Sequence, residues 1–179
     1  MNKILAYMGV HGPLLNLMIY ALVEIFNILN DEISLTYFIM SLFLQVISSI
    51  INHNLKKLIN QPRPSGTKNI DKYEKMLDKG SLGMPSGHAQ MHSSIITLAY
   101  YSNFPFYIIC VMILLLIISL IQRFTYKKHT VSQLFFGVMI GFILTHVYWY
   151  FILKPLKIKF KNKLKDKNLL KLEEGFPSP

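Results

Sequence analysis

Apolar runs long enough to cross a bilayer alternate along the chain with short polar breaks. A helix rises 1.5 Å per residue, so about 20 apolar residues span the hydrocarbon core. Residues 33 to 54, 85 to 103, 104 to 121 and 130 to 153 contain no Asp, Glu, Lys or Arg, and the stretch from 4 to 30 contains only Glu24. The pattern predicts an all-α polytopic membrane bundle of about five transmembrane helices. Only Ser102, Asn103 and Pro105 break the chain between the third and fourth runs, which reads as a tight turn between antiparallel helices. The first run is too long for a secretory signal and shows no small-residue cleavage site. Two units follow: a membrane-embedded domain over 1–153 and a basic tail over 154–179.

Polar positions inside the runs have a helical period. Ser41, Gln45, Ser48 and Asn52 share one face of the second span and are expected to point into the bundle, where interhelical hydrogen bonds contribute on the order of 1 kcal/mol or less each. Gly137 and Gly141 form a small-xxx-small pair on the last span, suited to close backbone approach. Glu24 stands about one and a half turns before Asn30 and Asp31, so it is either an interfacial or bundle-facing carboxylate or a functional acid. His53, His92 and His146 read as interfacial or bundle residues.

Composition agrees with the pattern. Of 179 residues, 52% are hydrophobic and 16% charged, with a mean hydropathy of +0.36; soluble domains carry about 25% charged residues. Cys110 is the single cysteine, which excludes an intramolecular disulfide scaffold. The net charge of +10 is divided between two membrane faces, which argues against nucleic-acid binding. Eight lysines lie between 154 and 171, a solvated tail expected near anionic headgroups of membrane lipids. With five spans, 11 Lys and Arg fall on the side of loop 55 to 84 and eight on the tail side. Setting aside three that are candidates for phosphate binding leaves a tie, so the positive-inside rule assigns no orientation.

Three polar clusters share one membrane face in this topology. The first, Lys56 through Pro64, holds Arg63 between Pro62 and Pro64, an extended backbone that lowers the entropy lost when a guanidinium forks onto an oxyanion. Lys56 adds a point charge. The second, Gly83-Met84-Pro85-Ser86-Gly87-His88, opens an apolar helix. A capping Ser86, a Gly87 permitting close approach and the positive end of the helix dipole make an anion site, where His88 can give a proton to a leaving oxygen. The third contains Arg123 and His129: an imidazole at the next helix start can attack phosphorus while Arg123 neutralises the equatorial oxygens. Taken singly, these are also a juxtamembrane basic flank, a helix cap and a stop-transfer flank. Their shared face favours a phosphate cage.

His88 and His92, four apart on one helix, have the spacing of a metal pair. A third ligand is missing, because Asp71, Glu74 and Asp78 lie in a lysine-rich loop. Neither a metal nor another cofactor is expected.

The pattern Lys56-x6-Arg63-Pro64, Pro85-Ser86-Gly87-His88 and Arg123-x5-His129 resembles the three-part signature of the type 2 phosphatidic acid phosphatase and haloperoxidase superfamily, over roughly residues 33 to 153. The resemblance implies a metal-independent phosphohydrolase working through a phosphohistidine. His129 would be the nucleophile and His88 the general acid, with Lys56, Arg63, Arg123, Ser86 and Gly87 binding phosphate. The soluble vanadium haloperoxidases share the signature, but the apolar spans argue against that branch.

The family's third motif usually has Ser before the arginine and Asp four residues after the histidine; here these are Gln122 and Gln133. The Asp fixes the histidine tautomer, and in a serine protease the analogous Asp to Asn change costs about 10⁴ in rate. Gln133 can do the same work if its carbonyl oxygen faces His129. The string His129-Thr130-Val131-Ser132-Gln133 is similar to that of dolichyl diphosphate phosphatases, as are Gly83-Met84-Pro85-Ser86 and Asn60-Gln61-Pro62-Arg63-Pro64. The expected substrate is a lipid phosphate or a polyprenyl, dolichyl-type diphosphate. A broad phosphatidic acid phosphatase and a degenerate lipid-phosphate binder are the alternatives. The resemblance puts the site on the lumenal or extracellular face of the endoplasmic reticulum or another cell membrane, and the tail in the cytosol.

Overall fold

A computed structural model describes residues 2–28, 33–70, 72, 74, 75, 82–159 and 162. Its main elements are all helical: α1 (Lys3–Ile28), α2 (Ile33–Ile59), α3 (Gly87–Tyr101), α4 (Phe106–Thr125) and α5 (Val131–Tyr148), the last continuing through a π-helical turn, Trp149–Leu153. Four helices among the described residues are long and apolar enough to cross a membrane, over Lys3–Asn27, Leu35–Ile59, Phe106–Thr125 and Val131–Lys159. The remaining expected span is α3, with 15 residues. At 1.5 Å per residue it is shorter than a hydrocarbon core. It is instead the most enclosed helix of the bundle, burying Ser93, Ser94, Ile95, Thr97, Leu98 and Ala99. A helix surrounded by others needs neither the length nor the uniform apolarity of one facing lipid.

Close helix approach is set by glycine. A Cβ at Gly141 would lie 2.2 Å from the Gln90 carbonyl oxygen, and one at Gly137 2.5 Å from that of Ser86, so α5 lies with its backbone against α3. This is the packing role expected of the pair. On α1, Gly9 and Gly12 do the same against Gln122 of α4 and His92 of α3. Around these contacts Tyr20, Leu44, Ile95, Leu98, Phe104, Met112 and Leu153 form the apolar core.

The polar face of α2 points inward, as its spacing predicts. Ser41 accepts from the Tyr20 hydroxyl at 2.9 Å, and Gln45 Nε2 donates to Ser94 Oγ at 3.0 Å. Gln90 Nε2 donates to both Ser48 O and Ser48 Oγ at 2.8 Å, and Asn52 Nδ2 donates to Gln90 Oε1 at 2.7 Å. His92 is fully buried, with Nδ1 2.7 Å from Asn16 Nδ2. Glu24 is 3% exposed and so faces the bundle.

The turn between α3 and α4 forms at Ser102 to Pro105, with Asn103 at φ 59°. The helix carrying the last span runs on to Lys159. Lys154 lies 4.9 Å from the Tyr150 ring centre, and Lys157 about 6 Å from those of Tyr37 (6.0 Å) and Trp149 (5.9 Å), the behaviour of snorkelling lysines at a membrane interface. The rest of the tail lies outside the described residues, except for 162.

Candidate active site

The loop ends and helix starts at one end of the bundle are tied together by main-chain hydrogen bonds. Gly83 N donates to Gln61 O at 2.8 Å, Ser86 N to Gln133 O at 3.1 Å and Lys68 N to Tyr126 O at 2.9 Å. Thr67 Oγ1 donates to Lys127 O at 3.0 Å. The three sequence clusters therefore form one structure.

His129 stands at its centre, 3% exposed. Its Nδ1 is 2.9 Å from Gly83 O, an atom that can only accept, so Nδ1 carries the proton and Nε2 the lone pair. Gln133 Oε1 lies 3.3 Å from the same nitrogen. The amide orientation is determined by its other partners: Oε1 accepts from Thr130 N at 3.1 Å, and Nε2 donates to Gln61 Oε1 and Pro62 O, both at 3.1 Å. Thr130 and Gln133 form a capping box at the start of α5. The glutamine thus presents its carbonyl oxygen to the histidine, as an aspartate would present a carboxylate. Gly83 has no side chain because none fits: a Cβ there would lie 2.6 Å from Gln133 Nε2.

Burial pushes the His129 imidazole down to about 3, and the nearby charges of Arg63, Lys56 and Arg123 add to the effect. All three cations expected from the sequence therefore act on this histidine. Lys56 Nζ donates to Leu82 O at 2.6 Å, which holds it beside Gly83. Arg63 is half-buried at the end of the first cluster.

Ser86 caps α3, its Oγ accepting from Ala89 N at 3.5 Å, and is completely buried. Its backbone N–H is bound to Gln133 O, so Ser86 shapes the helix start more than it offers donors. Gly87 lies against Asn52, where a Cβ would meet Oδ1 at 3.2 Å. His88 Nε2 is 3.0 Å from Val10 O and also touches Arg123 Nη2. The guanidinium and this imidazole converge on one point.

The sequence reading did not give Glu74 or Lys128 a role. Glu74, 4% exposed, pairs through Oε1 with Arg123 Nη1 at 2.9 Å and Lys128 Nζ at 3.2 Å. An acid inside a lysine-rich loop was the available signal. Asp71 and Asp78 of that loop lie outside the described residues. Among the described residues no group of three His, Cys, Asp or Glu is placed to hold a metal ion. Beside His88 a cavity of about 430 Å³ opens between α1, α2 and α3, with Val10, Pro13, Leu14 and Met91 on its apolar walls and Ser48, Ser49 and Asn52 on its polar one.

Two histidines and three cations are thus gathered at one end of the helical bundle. The chain belongs to the PAP2 superfamily, whose family model matches residues 34–157. A solved structure, the transmembrane PAP2-type phosphatidylglycerolphosphate phosphatase of Bacillus subtilis, shares the fold, with a TM-score of 0.63 at 17% identity over 86% of this chain and 79% of that one. No curated protein sequence matches the chain. Family and fold, with four long apolar helices among the described residues, make it an integral membrane member of that superfamily.

Proposed function

We propose that the protein hydrolyses a lipid phosphate or polyprenyl diphosphate through a phosphohistidine on His129, without a metal. The observation that carries this reading is the hydrogen-bonding of His129: Nδ1 is engaged by Gly83 O and the Gln133 carbonyl, which directs the Nε2 lone pair to the reaction. A degenerate binder needs no such tautomer control.

In the first step Nε2 of His129 bonds to phosphorus as the bond to the lipid oxygen, or to the lipid-borne phosphate of a diphosphate, breaks. His88 donates a proton to that leaving oxygen. In the second step water attacks phosphorus, giving its proton to His88 and breaking the N–P bond, which releases phosphate and restores both histidines. Lys56, Arg63 and Arg123 stabilise charge on the equatorial oxygens throughout. The cavity beside His88, of about 430 Å³ with apolar walls, supports this reading as a place for part of the lipid.

The His-Thr-x-Ser-Gln string favours a polyprenyl diphosphate. The hydroxyls of Ser48 and Ser49 on the cavity wall favour a second reading, a glycerolipid phosphate whose ester carbonyls they can meet. The test is phosphate release by detergent-purified protein, with chelator present, from dolichyl diphosphate and phosphatidate side by side. Chelator-resistant release that is lost in His129→Ala is expected, and the faster lipid identifies the substrate class. Lipid binding without release from either would replace this reading by the degenerate binder.

A further inference from the structure

Arg123 occupies the last turn of α4, 2% exposed, and its guanidinium is held from two sides. Nη1 donates to Glu74 Oε1 at 2.9 Å, while Nη2 meets His88 Nε2. The same Glu74 oxygen lies 3.2 Å from Lys128 Nζ, which is fully buried. Glu74 is itself anchored, because Oε2 accepts from Ile70 N at 2.7 Å, and Lys128 Nζ donates to Asn69 Oδ1 at 2.5 Å.

Arginine loses much rotamer freedom when fixed, and its planar fork is useful only when aimed. Two buried cations side by side would also repel each other without an anion between them. One carboxylate meets both requirements here. It engages one Nη and so directs the other toward His88, the proposed general acid.

We propose that Glu74 is a positioning residue for the phosphate site, acting through Arg123: it aims the guanidinium at the phosphate oxygens next to His88 and is not itself in contact with substrate. The proposal rests on the phosphatase reading for what the site binds. Glu74 then contributes to phosphate affinity and turnover only for as long as Arg123 has its fork.

The test is a double-mutant cycle with the full chain in detergent, comparing Glu74→Gln, Arg123→Lys and the pair. The probe is orthovanadate, an oxyanion shaped like phosphate, with its affinity read from vanadate-dependent stabilisation against heat. The readout works whether or not the protein turns over lipid. Phosphate release from the preferred lipid gives kcat and KM in parallel. Glu74→Gln is expected to weaken vanadate binding about 10-fold, the scale on which outer-shell partners tune a site. In the Arg123→Lys background it should change binding by less than about two-fold, whereas a purely structural residue would cost as much in both backgrounds. Glu74→Asp, which keeps the charge, should recover part of the loss and replaces Glu74→Gln in the cycle if the latter does not fold. Equal losses in both backgrounds, unchanged affinity in Glu74→Gln, or tighter vanadate binding from a carboxylate that competes with phosphate would each overturn the proposal. So would failure of the wild type to bind vanadate. Vanadate binding with no phosphate released from any lipid would sink the phosphatase reading alone, leaving the cycle to decide on Glu74.

Discussion

The side-chain carbonyl of Gln133 stands 3.3 Å from Nδ1 of His129, while the backbone carbonyl of Gly83 stands 2.9 Å from the same nitrogen. Two acceptors therefore face one imidazole nitrogen, where the resemblance leads to the expectation of a single aspartate. The main-chain acceptor cannot be removed by mutation, so His129 keeps its tautomer when Gln133 changes. Gln133→Ala is expected to lower kcat/KM by about 10- to 100-fold, the range for outer-shell orienting groups. Steady-state kinetics check this; a loss near the 10⁴ of a tautomer error would show that the glutamine alone controls the imidazole.

Gly83→Ala tests the same arrangement from the other side. Its Cβ would press on the Gln133 amide at 2.6 to 2.8 Å, and that amide is pinned by Thr130, Gln61 and Pro62. The expected outcome is a drop in kcat exceeding any change in unfolding temperature. Equal activity in the variant would mean the amide moves aside freely.

The pH dependence follows from the charges around His129. Folding lowers its pKa from 6.5 to about 3, through burial first and then Arg63, Lys56 and Arg123. The free protein therefore holds a neutral His129 at physiological pH, and if it is the proposed nucleophile the acid limb of kcat/KM is expected well below that of free imidazole. Removing a cation eases protonation, so Arg63→Gln should move the acid limb to higher pH. A limb that stays in place, or moves down, would contradict the geometry. Stability carries the same sign: between 6.5 and about 3 the unfolded chain binds a proton that the native one refuses, so stability falls as pH drops through that window.

The two glycines of α5 should separate packing from chemistry. Gly141→Ala meets the Gln90 carbonyl at 2.2 Å and Gly137→Ala the Ser86 carbonyl at 2.5 Å, so both overpack at about 1–3 kcal/mol. Ser86 caps the helix that presents His88, whereas Gln90 lies a turn deeper. Both variants should melt earlier, with Gly137→Ala losing more activity relative to its stability loss. Thermal unfolding and phosphate release on the same preparations decide it.

Gln90 joins α3 to α2 through Ser48 and Asn52. Gln90→Leu removes the shorter bond of the buried Asn52 amide, at 2.7 Å, and leaves it only the 3.4 Å bond to Pro85 O, at a cost of about 1 kcal/mol. A lower unfolding temperature with an unchanged acid limb is expected, because none of these groups contributes to the His129 shift.

Much of this was legible in the chain because membrane burial writes itself in long runs. Four apolar stretches, the inward stripe from Ser41 to Asn52 and the close approach at Gly137 and Gly141 needed only composition and period. Span parity placed Lys56, Arg63, His88, Arg123 and His129 on one face, and the structure brings their loops together. The length of α3 was less legible, since an enclosed helix is apolar for the same reason as a spanning one and need not be as long.

What the sequence determined by itself is thus what depends on local pattern: the membrane class, the helices, the family signature and the candidate residues Lys56, Arg63, His88, Arg123 and His129. What only the tertiary structure decided are the partners across distant segments. That Gly83 supplies the acceptor for His129, that Gln61 and Pro62 hold the Gln133 nitrogen and so turn its oxygen inward, and that Glu74 lies between Arg123 and Lys128 each depend on atoms 46, 71 or 72, and 49 or more residues apart meeting within about 3 Å. No periodicity encodes such pairings, because loop residues are placed by the helices they join. A carboxylate in a run of lysines looks solvated until the fold buries it.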